Sequence, residues 1–543
     1  MKRLLVALAL LAAGGVRAEP REMVATAHPM ATEAGLEVLR KGGTAMDAAV
    51  AVQMMLGVVE PQASGIGGGG FLLYYDAATG RTTAYDGRET APAKAKPDMF
   101  LGPDGKDLDF RLAVVSGMAV GVPGVVAMLE LAHKEHGTLP WADLFKPAIV
   151  AARDGFPASP RLARALDVFK SLANDYAARR VFFNADLSPK RQNDKIVNEP
   201  LAQTMEHLAT NGSSGLMKGP IADFIVAQVR LHQRPGELEL ADFAAYRPIK
   251  REPVCGPYRV WLICGMGPPS SGGVAILQML ALLEPFELYR EQPNSLRAVH
   301  LIAEVGKLAY ADRARYLGDP AFVDVPLKGL LSPAYLSERR KLIAEDKAMA
   351  PTPVPPGYPE RGTSHISIVD RFGNAVAFTT TIEAPFGARM MVYGFFLNNE
   401  LTDFTARPEI DGRVVANRVQ PGKRPRSSMT PTLVFDRDAK LVAVLGSAGG
   451  PRIIGDTLHA LIGLLDWNLS AQAALDLPRV ANLNEATELE NRGSLPELAE
   501  RLRGLGHQVQ VRRHDGGLTA IRRSGDGWQG GADPRRDGVA RGE

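Results

Sequence analysis

The sequence predicts an α+β protein in which two layers of β-strands are covered on the outside by helices. In the last third of the chain, short segments with strand-like alternation are joined by tight turns, and helical segments follow. The middle, residues 112–346, is rich in helical segments, and a hairpin is predicted near the N-terminus. The predicted strands are 71–75, 82–85, 363–370, 374–381, 433–436 and 441–445, and the clearest predicted helices are 31–41, 44–59, 123–134, 141–154, 298–316, 452–467 and 470–475.

A proline-rich segment separates the helical part of the chain from the strand-rich part. Residues 348–361 read AMAPTPVPPGYPER, a composition that cannot hold regular structure. The segment ends at Gly362-Thr363, where the first long strand is predicted to begin. Length alone, at 543 residues, favours two domains.

Composition and charge exclude several functional classes. Charged residues make up 23% of the chain and the formal net charge is +3, so neither nucleic acid nor an anionic membrane is expected as a partner. The glycine run at 65–70 follows a predicted helix and precedes a predicted strand, the reverse of a dinucleotide-binding fingerprint. No histidine, cysteine and carboxylate spacing indicates a metal site.

The first eighteen residues are typical of a secretory signal. Lys2 and Arg3 precede an apolar run at 4–13, and Val16-Arg17-Ala18 is a small-x-small exit. The run is too short to span a bilayer, so we expect cleavage after Ala18 and a periplasmic or secreted protein without stable membrane insertion. A retained amphipathic anchor is the alternative.

The two cysteines, Cys255 and Cys264, lie nine residues apart around a possible Gly256-Pro257 turn. They could oxidise across a hairpin, or they could remain two thiols, and the sequence leaves both open. Two cysteines alone make no zinc site, and no cofactor is expected.

The Gly362-Thr363 junction carries the first chemical hypothesis. A threonine hydroxyl can attack the peptide bond before it when the preceding residue tolerates a strained turn, as glycine does. Hydrolysis after an N-to-O shift would leave Thr363 at a new N-terminus, where its own amine can serve as base for its hydroxyl. An ordinary loop-to-strand junction is the alternative interpretation.

Other polar groups strengthen that hypothesis. Gly446 to Gly450 follow a predicted strand and precede a helix, so their backbone amides could stabilise an oxyanion. Ser427-Ser428 could present two hydroxyls to a substrate, although such pairs usually cap turns. His365 is interpreted as a surface or network histidine rather than a general base.

The chain resembles the gamma-glutamyltransferase family of N-terminal-nucleophile hydrolases from about Met23 to Arg535. The stretches that carry the resemblance are Asp47-Ala48-Ala49-Val50-Ala51, residues 61–71, Asp86-Gly87-Arg88-Glu89-Thr90-Ala91-Pro92, Pro268-Pro269-Ser270-Ser271-Gly272-Gly273, Tyr310-Ala311-Asp312-Arg313, Thr363-Ser364-His365, Lys423-Arg424-Pro425-Arg426-Ser427-Ser428-Met429, and residues 446–450.

The resemblance implies a four-layer αββα sandwich built jointly by two subunits of a self-cleaving precursor. The large subunit would be residues 19–362 and the small catalytic subunit residues 363–543. Thr363 resembles the family's nucleophile and Thr381 its hydroxyl partner, while Gly449 and Gly450 resemble the oxyanion hole.

The resemblance also implies a donor site and a reaction. Arg88 would clamp the donor's α-carboxylate together with Ser427 and Ser428, and Glu400 and Asp403 would hold the α-ammonium. A gamma-glutamyl donor, with glutathione the obvious candidate, would acylate the nucleophile. The acyl group would then pass to water, an amino acid or a dipeptide.

Two departures from the family pattern leave alternative functions open. Glu383 stands where the family commonly has asparagine, and the segment 404–423 is short and lacks the tyrosine of a lid, which favours an open site, hydrolysis or bulky donors. A glutaryl-cephalosporin acylase and a non-catalytic peptide-binding relative are the alternatives. Three acids, Glu383, Glu400 and Asp403, favour a gamma-glutamyl ammonium over a glutaryl chain.

Overall fold

A computed structural model describes residues 19–350 and 362–543. The strands, in chain order, are β1 Met23–Thr26, β2 Gly69–Asp76, β3 Arg81–Asp86, β4 Phe156–Pro157, β5 Lys195–Ile196, β6 Ile249–Arg251, β7 Val254–Tyr258, β8 Trp261–Gly265, β9 Gly362–Val369, β10 Ala375–Glu383, β11 Met391–Val392, β12 Phe395–Phe396, β13 Glu409–Ile410, β14 Arg413–Val414, β15 Thr432–Phe435, β16 Leu441–Gly446, β17 Val480–Asn482, β18 Thr487–Glu490, β19 Val509–Arg512, β20 Thr519–Ser524, β21 Gly527–Ala532 and β22 Val539–Gly542.

The helices lie mainly between the hairpin of β2 and β3 and the strand β9. In chain order they are α1 Pro29–Arg40, α2 Ala45–Val59, α3 Phe110–Val114, α4 Val125–His136, α5 Lys146–Asp154, α6 Pro160–Val168, α7 Tyr176–Phe182, α8 Glu199–Asn211, α9 Ser214–Met217, α10 Pro220–Leu231, α11 Leu240–Ala245, α12 Gly272–Leu283, α13 Leu296–Tyr316, α14 Leu327–Leu330, α15 Pro333–Arg340, α16 Ile453–Leu465, α17 Ala471–Asp476 and α18 Ala499–Gly504.

Two large antiparallel sheets form the centre of the molecule. The first has the strand order β22-β1-β9-β10-β2-β3-β6 and the second the order β21-β20-β16-β15-β8-β7. Both sheets contain strands from before and after Thr363. The change in sequence pattern at residue 362 therefore does not mark a boundary between two folded domains, and the two-domain expectation from length is not met.

Alternation along single strands places apolar side chains on both faces of each sheet. In β2, Phe71 and Leu73 face the second sheet and contact Leu433 and Val444. Leu72 and Tyr74 face the other way and pack against the helices of the N-terminal half. Successive side chains on a strand point to opposite faces, so a strand buried on both sides reads as a continuous apolar run.

Helices cover the outer face of each sheet. All fifteen residues of α2 are buried against the first sheet, and Thr44 and Asp47 start this helix with a reciprocal capping box. On the other side, Val434 and Leu445 of the second sheet pack against α12, α13 and α16. The order helix, sheet, sheet, helix confirms the predicted four-layer αββα sandwich.

The predicted elements occur with ends shifted by a few residues. The largest local difference is at 141–154, where a short 3-10 helix, Trp141–Phe145, precedes α5. Cys255 and Cys264 lie opposite each other on β7 and β8 and form a disulfide, which resolves the alternative left open by the sequence.

Along the described ranges 19–350 and 362–543, no helix has both the length and the apolar character needed to cross a membrane. The predicted signal, residues 1–18, and most of the proline-rich segment lie outside the described residues.

Candidate active site

Thr363 lies at the start of a central strand of the first sheet. It is the second residue of β9 and pairs in register with Thr381 of β10. The Thr363 hydroxyl donates to Thr381 Oγ1 at 3.3 Å, and the Thr381 hydroxyl donates to the carbonyl oxygen of Gly362 at 2.5 Å. Thr381 Oγ1 also accepts a hydrogen bond from the Glu383 amide at 2.8 Å. One hydroxyl thus joins the predicted nucleophile to the peptide carbonyl that it would attack.

Gly362 is required by the space around it. A Cβ at this position would lie 2.4 Å from the carbonyl oxygen of Glu383, closer than real Cβ contacts allow. The pairing of β9 with β10 is irregular between Thr381 and Glu383, and Glu383 has a φ of +72°, which is uncommon for a residue with a side chain. Such strain is typical of functional sites that the surrounding structure holds in place.

His365 is buried, so the surface interpretation is wrong and the network interpretation holds. Its Nδ1 is 2.8 Å from Thr379 Oγ1, and burial lowers the pKa of His365 to about 3. Its ring also packs against Gly446, where a Cβ would lie 2.4 Å from the ring. A neutral imidazole that fills the space beneath a glycine loop supports that loop and is not suited to act as a base near neutral pH.

The loop from Gly446 to Gly450 lies between the end of β16 and α16, as the sequence predicts. Gly449 and Gly450 have φ values of +127° and +68°, which favour glycine. Space for a Cβ at Gly449 is open, so its glycine is needed for backbone conformation rather than for close packing. A loop of this shape can turn backbone N–H groups toward a substrate oxygen.

Arg88 lies among the acids that the resemblance assigns to the same substrate. Its guanidinium forms ion pairs with Glu400 and Asp403, and its remaining donors reach the carbonyl oxygens of Pro425 at 3.1 Å and Arg426 at 3.0 Å. Arg88 and Glu400 are each about 1% exposed. Both side chains are therefore enclosed by protein, and the open site expected from the short lid segment stays a prediction.

Glu89 and Glu383 complete a buried group of four carboxylates around one guanidinium. Burial raises the pKa of Glu89 to about 8, although the charge of Arg88 opposes this shift. Burial also raises the pKa of Glu383 and of Glu400 well above the ordinary range, with nearby carboxylates adding to the shift. These raised pKa values indicate that one guanidinium does not keep all four carboxyl groups ionised, and a further cation placed among them would favour their ionised forms.

Ser427 and Ser428 lie next to the Arg88 cluster, but their hydroxyls have protein partners. Ser427 Oγ accepts from the Met429 amide at 3.1 Å, and Ser428 Oγ accepts from Arg313 at 2.7 Å. Arg313 also donates to Ser271 Oγ at 2.8 Å, and Ser271 in turn donates to the Ser427 carbonyl oxygen at 2.6 Å. The motifs at 268–273 and 310–313 therefore hold in place the segment that contains Ser427 and Ser428, called the serine loop below.

Several residues near the site were not assigned a role from the sequence. Glu89 leaves both carboxylate oxygens buried and unpartnered beside Arg88. Asn399 donates to Glu383 and accepts from the Ala384 amide at 2.9 Å, so it fixes the backbone after Thr381. Arg313, which donates to Ser271 and Ser428, is the third such residue. The available signals were the family-like stretches that contain Glu89 and Arg313, and the position of Asn399 directly before Glu400.

The segment 404–423 folds as a small hairpin, β13 and β14, beside the site. Asn417 donates to the Asp403 carbonyl oxygen at 2.7 Å and accepts from the Arg426 amide at 2.8 Å. Lys423 is buried and donates to the Ala416 carbonyl oxygen at 2.7 Å. Through Asn417, the segment therefore links Asp403 to the chain just before Ser427 and Ser428.

A group of possible metal ligands lies in the other half of the molecule. Within residues 19–350 and 362–543, His300, Glu304 and His507 bring ligand atoms within 4.8 Å of one another. The Lys307 ammonium donates to Glu304 at 2.7 Å, and His300 Nδ1 is 2.7 Å from His507 Nε2. A lysine already supplies the positive charge here, so the donor set fits a protein hydrogen-bond network better than a metal ion.

Comparison with known proteins covers nearly the whole chain. Residues 31–543 match the family model described as Gamma-glutamyltranspeptidase. A glutathione hydrolase proenzyme of Bacillus subtilis (strain 168) is 40% identical over 541 residues, covering 95% of this chain and 91% of the relative. A cephalosporin acylase structure from Bacillus halodurans has a TM-score of 0.84 at 28% identity, with 96% of each chain covered. A gamma-glutamyltranspeptidase structure from Helicobacter pylori has a TM-score of 0.58 at 35% identity, covering 66% of this chain and 97% of that one.

Proposed function

The chain belongs to the gamma-glutamyltranspeptidase family, and we propose on that basis how its residues cleave themselves and then a gamma-glutamyl amide. It is an acyltransferase and glutathione hydrolase of the N-terminal-nucleophile type. The observation that supports the proposed roles most directly is the hydroxyl of Thr381, which lies between the Thr363 hydroxyl and the Gly362 carbonyl oxygen.

Self-cleavage is proposed to begin on the Gly362 carbonyl carbon. Thr363 Oγ1 attacks this carbon, and its proton passes toward the Gly362 oxygen through the Thr381 hydroxyl. The C–N bond then breaks, the Thr363 nitrogen takes a proton, and an ester joins Gly362 to the threonine hydroxyl. Water hydrolyses that ester, which leaves a carboxylate on Gly362 and a free amine on Thr363. The products are a large subunit, residues 19–362, and a small subunit, residues 363–543.

The catalytic cycle is proposed to reuse the same hydroxyl. The Thr363 amine takes the hydroxyl proton as Oγ1 attacks the donor's γ-carbonyl carbon. Backbone amides at Gly449 and Gly450 stabilise the oxyanion, and the amine passes the proton to the leaving amino group. Water, an amino acid or a dipeptide then accepts the acyl group, with glutathione proposed as donor.

The Arg88 cluster is proposed to recognise the amino-acid end of the donor. Arg88 and the serine loop would bind the α-carboxylate, while Glu383, Glu400 and Asp403 would bind the α-ammonium. An incoming ammonium supplies the positive charge that the buried acids lack. Donor binding therefore replaces part of the ion pairing that fills the site in the uncleaved chain.

The first experiment is intact mass and N-terminal sequencing of the protein expressed with its signal. We expect fragments of about 37 and 19 kDa, in proportion to 344 and 181 of 543 residues, with the smaller one beginning Thr363-Ser364-His365. Cleavage after Ala18 would support the proposed periplasmic or secreted location. A single chain without gamma-glutamyl turnover would contradict the proposal and favour the peptide-binding alternative.

Glu383→Asn tests the choice between gamma-glutamyl and glutaryl donors. The two acyl groups differ by one ammonium, so removing one acid should lower the preference for the gamma-glutamyl anilide over the glutaryl anilide by roughly tenfold, while gamma-glutamyl turnover is retained. The measurement is kcat/KM for both anilides. Glu500→Gln, on an exposed side chain of α18, is the matched control.

Faster turnover of glutaryl than of gamma-glutamyl anilide by the unchanged enzyme would contradict the donor assignment. That outcome would favour the acylase alternative, in line with the similarity to the cephalosporin acylase structure.

A further inference from the structure

Arg536 is a buried cation that contacts the backbone of the proposed nucleophile. Its Nη1 donates to the carbonyl oxygen of Thr363 at 2.6 Å, and its Nη2 donates more weakly to the Asp515 carbonyl oxygen at 3.4 Å. Arg536 is 9% exposed. A Cβ on Gly517 would lie 2.5 Å from its guanidinium carbon and 2.8 Å from the Ala448 side chain. The guanidinium therefore contacts Thr363 and packs against Gly517, which also lies beside Ala448 of the loop proposed to form the oxyanion hole.

Among residues 19–350 and 362–543, no carboxylate is a partner of this guanidinium. Over the described ranges, no carboxylate oxygen lies within ion-pairing distance of Arg536, and its Nε makes no hydrogen bond. The adjacent Arg535, by contrast, pairs with Glu490 and with Asp533 at 2.9 Å. Burial, with a contribution from Arg161, lowers the pKa of Arg536 to about 9. An unpaired buried charge is unfavourable for folding, so its position on Thr363 suggests a functional reason.

Other charged groups near Thr363 are paired, distant or neutral. Glu60 accepts from Arg161 at 2.7 Å and from the Ser364 hydroxyl at 3.3 Å, so its charge is shared. Asp515 and Asp533 influence Arg536 only beyond ion-pairing distance. The pKa of His28, which is sensitive to Glu60 and Arg161, is lowered by burial.

On the strands themselves, the titratable neighbours are mainly neutral. His365 is uncharged near pH 7, because burial lowers its pKa to about 3. Glu383, opposite Gly362 on β10, has a pKa raised well above the ordinary range by burial. Arg536 is therefore the unpaired charge in contact with Thr363 among the residues described.

We propose that Arg536 is a positioning residue whose positive charge keeps the α-amino group of Thr363, once released by self-cleavage, in its neutral and basic form. The inference rests on the proposed function, because it concerns the amine that takes the hydroxyl proton. A protonated amine cannot accept that proton, so the enzyme is active only above the pKa of this amine. A fixed cation beside it extends activity to lower pH.

The expected size of the effect follows from the geometry. The nitrogen and carbonyl oxygen of one residue are only a few ångströms apart, so the charge of Arg536, which lies 2.6 Å from that oxygen, is close to the Thr363 nitrogen. A like charge at this distance in a partly buried site lowers the pKa of an amine by about one to two pH units. An ordinary α-amino group titrates near pH 7.7 to 8.0, so we expect that of Thr363 to titrate near pH 6 to 7.

The test is the pH profile of kcat/KM for a gamma-glutamyl anilide. For Arg536→Gln we expect the acid limb to move up by about one pH unit or more, with activity largely recovered above about pH 9. Arg536→Lys keeps a charge and should keep the acid limb within a few tenths of a pH unit of its original position. Arg541→Gln, at an exposed arginine of β22, is the matched control. An unmoved acid limb in processed Arg536→Gln would overturn the proposal.

A second measurement requires no variant. Cyanate carbamylates neutral amines, so the pH dependence of Thr363 modification, followed by mass of the N-terminal peptide of the small subunit, gives the pKa of this amine directly. A value at or above that of an ordinary α-amine would overturn the proposal, even if Arg536→Gln failed to process itself. A chain that is cleaved before Thr363 and turns over donor, but shows this ordinary pKa, would contradict only the role of Arg536. A chain that is neither cleaved nor active would contradict the proposed function instead.

Discussion

Thr363→Ala is expected to leave one uncleaved chain and to lower gamma-glutamyl turnover by at least about ten-thousand-fold. The threonine hydroxyl is proposed to serve both in self-cleavage and in catalysis, so its loss removes both reactions at once. Denaturing electrophoresis gives the state of the chain, and turnover of a gamma-glutamyl anilide gives the activity. Thr363 is buried and pairs with β10 through its backbone, so alanine should not disturb the sheet.

Thr363→Ser is the matched variant, because it keeps the hydroxyl and removes only a methyl group. We expect it to process itself and to retain measurable turnover, since serine supplies both the nucleophile and, after cleavage, the amine. Normal processing of the alanine variant would show that another group cuts the chain. Full activity of that variant would exclude Thr363 as nucleophile.

Arg88→Met is expected to lower kcat/KM for a gamma-glutamyl donor by about two to three orders of magnitude and to destabilise the protein by about 3 to 5 kcal/mol. The first effect follows from losing the partner of the donor's α-carboxylate. The second follows because Glu400 and Asp403 lose their buried cation. Kinetics and denaturant unfolding measure the two effects separately.

Two controls separate binding from stability. A 4-aminobutyryl anilide lacks the α-carboxylate, so its turnover should change far less than that of the gamma-glutamyl anilide in Arg88→Met. Adding Glu400→Gln and Asp403→Asn to the same variant should recover part of the lost stability but not the donor preference. Equal losses with both anilides would contradict a role for Arg88 in carboxylate binding.

Much of the fold was predictable because its signals are local. The buried run at 71–75, the alternating strands beside Thr363 and the capped helix that begins after Thr44 all depend on neighbours in sequence. The order of strands was not predictable from these patterns. β1 pairs with β22 and with β9, which lie hundreds of residues away, and no local pattern records such pairing.

The identity of the site residues was easier to predict than their environment. The motifs around Arg88, Glu400 and Asp403 indicated a donor site, and the structure brings these residues together. In the uncleaved chain these three side chains pair with one another instead of with a substrate. This pairing depends on packing between segments 312 residues apart. The same holds for Arg536, because the absence of a carboxylate partner within the described part of the chain is a property of the folded surroundings and not of its sequence neighbours.

The pairing of β1 with β22 has a consequence for how the gene could be arranged. The Arg21 and Glu22 amides both donate to the Glu543 carbonyl oxygen, at 2.7 and 3.1 Å, so the first and last residues that the structure describes are adjacent. Chains whose ends meet in this way tolerate circular permutation. Joining Glu543 to Glu19 through a short linker and opening the chain before Thr363 would therefore interrupt no strand except β9, which would be separated only from Gly362. Such a permutant would be synthesised with threonine as its first residue after removal of the initiator methionine, so its nucleophile would need no precursor cleavage.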